Sequence, residues 1–324
     1  MVEVERERFI IESEAFFEFN PFIVIGIPAF NEEASIEKVV RRARQFADAV
    51  VVCDDGSTDS TASIAESLGA SVVKHSQNLG YGSAIQSLLR CARALDADVL
   101  VTLDADGQHD PAEIPRLLNP LASKEADIVV GSRFMDEEGT DEMPLYRKTG
   151  VRLITKMLNA VTRRNISDAQ SGLRAYNRSA LELIHVSEKG MGASVEILLD
   201  ASNKGLRICE VPSTCKYKVA PNVKTSKENP FTHGLGVVAS LLKLMMRKRP
   251  LTFLALPGIA FLSIGALFGA WIWQTYAEAH YILTNIALVS LSFTLLGALT
   301  FSVAMGLRFV KHFSDELTHG GEYR

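Results

Sequence analysis

Three oxygen-bearing side chains fall within five residues at Asp104-Ala-Asp106-Gly-Gln108. Just past a strand, carboxylates at i and i+2 can converge with a side-chain amide on one hard cation, which suits Mg²⁺ or Mn²⁺. So sparse a set leaves coordination positions open, and phosphate oxygens commonly fill them. An acidic turn by itself more often solvates a loop or caps a helix, and Asp110 before Pro111 has that second role. A second acidic run, Asp54-Asp55-Gly-Ser-Thr-Asp59-Ser-Thr61, is in part a turn whose Ser57 or Asp59 caps a helix through Ala62 to Leu68. Asp54 and Asp55 open that run, where a carboxylate can accept from a ribose hydroxyl or a base N–H. Asn31 and Glu32 invite the same pair of readings. Arg133, Arg147, Arg174 and Lys218 each read alone as surface charge; together they offer fixed cations for a phosphate.

These groups need elements to hold them. From Phe22 the chain alternates short β-branched runs with helix-period segments: 22–27, 49–54, 71–74, 98–104 and 127–132. Continuous apolar strands with helical returns predict a mostly parallel α/β sheet covered on both faces, with its ligands beyond the carboxyl ends of the strands. PAFNEE, DDGSTDST and DADGQHDP follow the first, second and fourth runs, so polar residues concentrate where that architecture puts a site. Beyond residue 135 the spacing predicts helices over Leu145–Val161 and 193–205, separated by a polar loop at Asp168–Tyr176. Asn78-Leu-Gly80-Tyr-Gly82 hints at a phosphate loop, but neither GxGxxG nor a Walker sequence occurs, and no GxSxG marks a nucleophile. His75, His109 and His233 qualify for acid–base work by residue type alone.

The chain has 324 residues and a formal charge of −4, which removes the electrostatic footprint of a nucleic-acid binder. Four scattered cysteines without a CxxC pair predict neither a disulfide framework nor a zinc site. A mean hydropathy of +0.12 is high, and the excess lies at the C-terminus. Leu251–Trp273 and Ile282–Gly306 carry no charged side chain, and 23 helical residues reach about 34 Å, enough to cross a hydrocarbon core of about 30 Å. Lys243, Arg247, Lys248 and Arg249 precede the first span, Arg308 and Lys311 follow the second, and the connecting segment has no Lys or Arg. That asymmetry predicts a multi-pass protein of the cell membrane with both termini and the main domain cytoplasmic. Trp271, Trp273, Tyr276 and Tyr281 would form the far aromatic belt. The expected organisation is an extension at 1–21, a catalytic domain at 22–230, an interfacial amphipathic helix at 231–250, a hairpin at 251–310 and a tail at 311–324. Within it, the basic stretch 216–230 reads as a mobile loop that could act as a lid.

PAFNEE, DDGSTDST, NLGYGSA, LDADGQHDP, GSR and DAQSGLRAY, in this order, resemble the family 2 glycosyltransferases of GT-A fold, and most of all the dolichyl- and polyprenyl-phosphate group, over roughly Phe22–Asn229. The resemblance implies a nucleotide-sugar cradle from Pro28, Phe30, Glu32, Asp54, Asp55 and Asp104, with Asp104, Asp106 and Gln108 at a divalent ion. It matches Arg133, Arg147 and Arg174 to positions looking toward an acceptor phosphate or a donor diphosphate. Lys218 stands where many relatives have an arginine, which keeps the charge but loses the bidentate fork. The implied reaction is inversion by in-line attack of a lipid phosphate on a hexose carried by a nucleoside diphosphate, UDP-glucose or UDP-N-acetylglucosamine ahead of GDP-mannose. An ionised phosphate nucleophile needs no strong general base. A processive synthase is disfavoured because QxxRW is absent; a membrane-anchored subunit that binds a nucleotide sugar without turnover is the reading from another class.

Overall fold

The computed structural model describes residues 21–136, 140, 143–215, 254–281 and 283–319. The chain divides into two compact units, Met1–Leu241 and Leu242–Arg324.

In the first unit the five apolar runs form β1 (Ile23–Ala29), β2 (Ala49–Asp54), β3 (Ser71–Lys74), β4 (Val99–Thr102) and β5 (Ile128–Ser132). Two further strands, β6 (Arg174–Asn177) and β7 (Ile208–Pro212), complete a seven-stranded sheet in the order β3-β2-β1-β4-β6-β5-β7. The sheet is parallel except for β6, which runs against both β4 and β5. Since β6 is reversed, its beginning, at Arg174, lies at the same edge as the ends of β4 and β5. The expected polar loop over Asp168–Tyr176 therefore ends in a strand. RAYN has no apolar run to announce it, because its register is set by its neighbours.

Alternate strand residues face opposite sides. Ile25, Ile27, Val50, Val52, Val99, Val101 and Val129 join one buried cluster with Ile36, Val39 and Val40 of helix α1 (Ile36–Ala43) and Ala65 of α2 (Thr61–Ser67). Ile114, Leu117, Leu118 and Leu121 of α4 (Ile114–Ala122) complete it. On the other face α3 (Tyr81–Ala94) seats Leu88 against Gly26, where an added side chain would crowd Leu88 and Leu100. The remaining helices are α5 (Leu145–Thr162), α6 (Arg178–Leu183) and α7 (Ala193–Asn203); Ala193–Ala201 of α7 are buried on every side rather than amphipathic. Winding reverses between β1 and β4, so the chain leaves their ends in opposite senses and opens the crevice where ligands of such sheets bind.

The second unit contains α8 (Leu256–Ala279) and α9 (Thr284–His319). Each is long and apolar enough to cross a membrane, over Leu256–Glu278 and Thr284–Val310. The segment expected as a connecting loop, Gln274–Tyr281, is helical as far as Ala279, and His280 ends it at φ +60°. Glycine lets the two helices meet: Gly265 faces Ser290 and Thr294, with the Ser290 hydroxyl donating to the Gly265 carbonyl at 2.8 Å. Phe293 stacks on Phe268 at 6.3 Å. The expected interfacial helix, lid, N-terminal extension and the end of the tail lie outside the described residues, as do Lys218 and His233.

Candidate active site

The loops after β1 and β2 are laced together. The Asn31 and Glu32 amides donate to the Ser57 and Thr61 hydroxyls, both at 2.8 Å, and the Thr58 amide donates to Asn31 Oδ1 at 2.8 Å. Asn31 sits at φ +55°, a conformation asparagine tolerates because its short amide bonds locally. Phe30 stands exposed on this rim while Pro28 is buried in β1. The Glu32 carboxylate accepts from the Ser35 hydroxyl at 2.9 Å, and its carbonyl starts α1. Ser57 is thus a tie between loops, and it is Asp59 that serves the start of α2, accepting from the Thr61 amide at 3.0 Å.

Asp54 and Asp55 are both buried. Asp54 accepts from the Ser57 amide at 3.2 Å. Asp55 is differently employed: it accepts from the amides of Leu79 (3.0 Å) and Gly80 (2.8 Å) and pairs with His75 Nδ1 at 2.6 Å. His75 Nε2 continues to the Ser87 hydroxyl at 2.9 Å. The order Ser–His–Asp imitates a hydrolytic triad, but Ser87 is buried in the second turn of α3, so the line serves as a clamp on the 78–80 turn. Asp55, expected in the nucleotide cradle, is thus engaged with this turn and with His75. The phosphate-loop hint is corrected, because Gly80 (φ +97°) and Gly82 are there to let the turn lie against the backbone of Glu188 and Lys189.

Asp104 and Asp106 converge just past β4. Burial and the neighbouring Asp106 push the Asp104 carboxyl up to about 7, against the pull of Arg133, Arg147 and Arg174. Burial also raises Asp106, although the Gln108 amide donates to it at 2.9 Å. No hydrogen-bond donor among the described residues reaches the Asp104 carboxylate. Gly172 packs so close that an added Cβ would collide with both Asp104 carboxylate oxygens. Tyr81, at the start of α3, lies beside the pair too; burial and Asp104 raise its phenol.

Gln108 is the third side chain expected at the ion. Its side chain is buried and accepts from Cys215 Sγ at 3.4 Å. Among the described residues no group of three His, Cys, Asp or Glu side chains gathers around a common point. Asp104 and Asp106 offer a two-carboxylate grip of hard oxygens whose charge the neighbouring arginines do not fully compensate. That donor set fits a divalent ion that takes its other ligands from diphosphate and water.

The three arginines all act on the acid pair, but in different ways. Arg133 is buried in a fork with Asp168, Nε at 2.6 Å and Nη2 at 2.9 Å. Burial pushes the Asp168 carboxyl up, but Arg133 prevails and holds it below its ordinary value. Glu210 of β7 fixes the loop by accepting from the Ser167 and Asp168 amides at 2.7 and 2.9 Å. Arg174 donates to the carbonyls of Ser171, Ser194 and Ala169 at 2.8–2.9 Å. Arg133 and Arg174, expected to look toward an acceptor phosphate or a donor diphosphate, are both buried and bonded to protein groups, and the charge of both reaches Asp104. Arg147, in the first turn of α5, is the exposed cation of the three. Burial and Arg133 drive His109 down to about 4, so it is neutral near pH 7.

A doubly wound sheet with an acid pair at its switch point and three arginines around it defines a nucleotide-sugar transferase of GT-A type. Residues 24–184 match "Glycosyl transferase family 2". A UDP-N-acetylglucosamine--dolichyl-phosphate N-acetylglucosaminyltransferase of Methanococcus voltae is 35% identical over 218 residues, 60% of this chain and 86% of that protein. A dolichyl-phosphate hexose transferase of Haloferax volcanii is 30% identical over 229 residues, 70% of this chain and 94% of that protein. Among solved structures, glucosyl-3-phosphoglycerate synthase from Mycobacterium tuberculosis, in complex with Mn²⁺ and UDP-glucose, aligns with TM-score 0.53 and 26% identity over 69% of this chain and 79% of that one. The chain belongs to glycosyl transferase family 2 and is a glycosyltransferase.

Tyr81, Asp168, Gly172 and Glu210 escaped residue-by-residue reading. The ordered motifs NLGYGSA and DAQSGLRAY contain the first three, and Glu210 opens the Glu-Val-Pro at 210–212, inside β7.

Proposed function

We propose that the chain transfers a hexose from a nucleoside-diphosphate sugar to dolichyl or other polyprenyl phosphate, with inversion, and that UDP-glucose or UDP-N-acetylglucosamine is the donor. The observation that carries this reading is the acid pair, drawn together at the sheet's switch point and faced by Arg147. Its likeness to relatives named for dolichyl-phosphate transfer supplies the acceptor class.

In this reading Asp104 and Asp106 hold Mg²⁺ or Mn²⁺. When bound, such an ion neutralises the charge that builds on the departing nucleoside diphosphate. The protein's own part is placement and shielding. Asp54 and exposed Phe30 line the side where the nucleoside would lie, Arg147 holds the incoming phosphate, and Arg133 and Arg174 lower the repulsion between two anionic groups from inside the scaffold. The acceptor phosphate is largely ionised near pH 7, its second pKa being about 6, so no side chain has to remove a proton from it.

Two helices long and apolar enough to cross a membrane support membrane attachment in this reading, and the Lys and Arg flanks favour a cytoplasmic catalytic part with both termini on the same side. Trp271, Trp273, Tyr276 and Tyr281 are exposed at the opposite end of the hairpin, as an interfacial belt requires. The test is incubation of solubilised protein with labelled UDP-glucose, UDP-N-acetylglucosamine and GDP-mannose against polyprenyl phosphates, with and without EDTA. A lipid-soluble, EDTA-sensitive product from one donor is expected; donor binding without any transfer would favour the non-catalytic reading.

A further inference from the structure

Helix α5 has two apolar sides. Its inner side, Val151, Ile154, Leu158 and Val161, is buried in the domain. Its outer side leaves Leu145, Tyr146 and Leu153 exposed at 80%, 62% and 53% of their surface. These residues and Thr149, Arg152, Lys156 and Ala160 fall within about a third of the helix circumference at 100° per residue, and all are exposed. Residues 145–164 carry six Lys or Arg and no carboxylate, in a chain whose net charge is −4. Neither Arg152 nor Lys156 has an ion-pair partner among the described residues; Arg152 instead lies over the Phe134 ring at 5.6 Å, beside exposed Met135.

We propose that the outer face of α5 docks on a bilayer that contains anionic lipid headgroups. Large exposed apolar side chains flanked by cations on one helix face are what an interfacial helix presents, the apolar groups entering the acyl boundary and the cations meeting lipid phosphates. A protein partner would have to supply the same mixture of apolar surface and unbroken negative charge, which a bilayer does without specific pairing. The proposal concerns a surface and not the reaction, so it stands or falls separately from the transferase reading.

The experiment uses the full-length protein in nanodiscs. Trp271 and Trp273, the two tryptophans of the chain, become Phe, and single reporters are introduced as Leu153→Trp or Tyr146→Trp, with Leu95→Trp after the end of α3 as the control. Brominated phosphatidylcholine should quench both α5 reporters at least about twofold more than the control, and Arg152→Gln with Lys156→Gln, or omission of phosphatidylglycerol, should reduce that excess about twofold or more. Equal quenching of the α5 reporters and the control overturns the proposal. So does an α5 emission shift that follows protein concentration in detergent, which would identify a second copy of the chain as the occupant. Quenching without glycosyl transfer would count only against the proposed function.

Discussion

Arg133 and Asp168 form a two-point ion pair wholly inside the protein, Nε to Oδ2 at 2.6 Å and Nη2 to Oδ1 at 2.9 Å. Asp168 also receives the Gln170 amide at 3.1 Å, so one carboxylate joins the end of β5 to the loop that opens β6. Asp168→Ala leaves a buried guanidinium without its anion and should cost about 3–5 kcal/mol of stability. Thermal unfolding of the solubilised variant measures it, and a melting temperature equal to the parent's would show that the pair is dispensable.

Asp106→Ala should abolish glycosyl transfer and leave the fold intact, because among the described residues Asp106 accepts hydrogen bonds from backbone amides of its own loop and from no other segment. The variant should melt with the parent in the absence of metal. Near-normal turnover with Mn²⁺ present would remove Asp106 from the site.

Gly172→Ala puts a methyl group where the Asp104 carboxylate now lies. The carboxylate must swing aside, and overpacking of this kind costs about 1–3 kcal/mol. The loss should fall on ion affinity, seen as about a tenfold or greater weakening of Mn²⁺ binding by electron paramagnetic resonance. Unchanged Mn²⁺ affinity would mean that Asp104 is no ligand.

Protons should compete with the ion at Asp104, whose carboxyl is raised from 3.8 to about 7. Between those values the native metal-free protein holds a proton that the unfolded chain has released, so this group's contribution to stability falls as pH rises from about 4 to about 7 and is level above. Ion binding has the opposite slope, since it requires the carboxylate: Mn²⁺ affinity should weaken by about tenfold for each pH unit below 7. Calorimetric titration of parent and Asp104→Asn between pH 5.5 and 8 tests this, and a parent slope as flat as the variant's would contradict it.

Asp55→Ala strips the 78–80 turn of its anchor and leaves the Leu79 and Gly80 amides and His75 without their acceptor. Each buried unsatisfied group costs about 1–3 kcal/mol. Stability should fall by at least that much, while saturating donor restores part of the activity of the folded fraction. Full stability would show that the clamp on this turn is dispensable.

The strands that carry the acidic loops were legible because both faces are covered, so their apolar runs are unbroken. β6 was not legible, since a four-residue strand with an arginine inside takes its conformation from β4 and β5. The site followed the same division. Asp104 and Asp106 could be read from spacing, because a short loop after a strand confines where they point. The packing partners of Gln108 and Asp55 could not, because Cys215 in one case and the Leu79 and Gly80 amides in the other lie 107 and about 25 residues away. Spacing likewise marks Arg133 and Arg174 as cations near the site, but not that carbonyls and Asp168 already occupy their donors.

The hydrogen bonds that tie Asn31, Glu32 and Glu33 to Ser57, Thr58, Asp59 and Thr61 are made between protein groups alone. Two segments that would otherwise wander separately are thus frozen into one lip by folding itself. A nucleotide settling there does not have to supply the ordering entropy of either, which leaves more of its contact energy to appear as affinity.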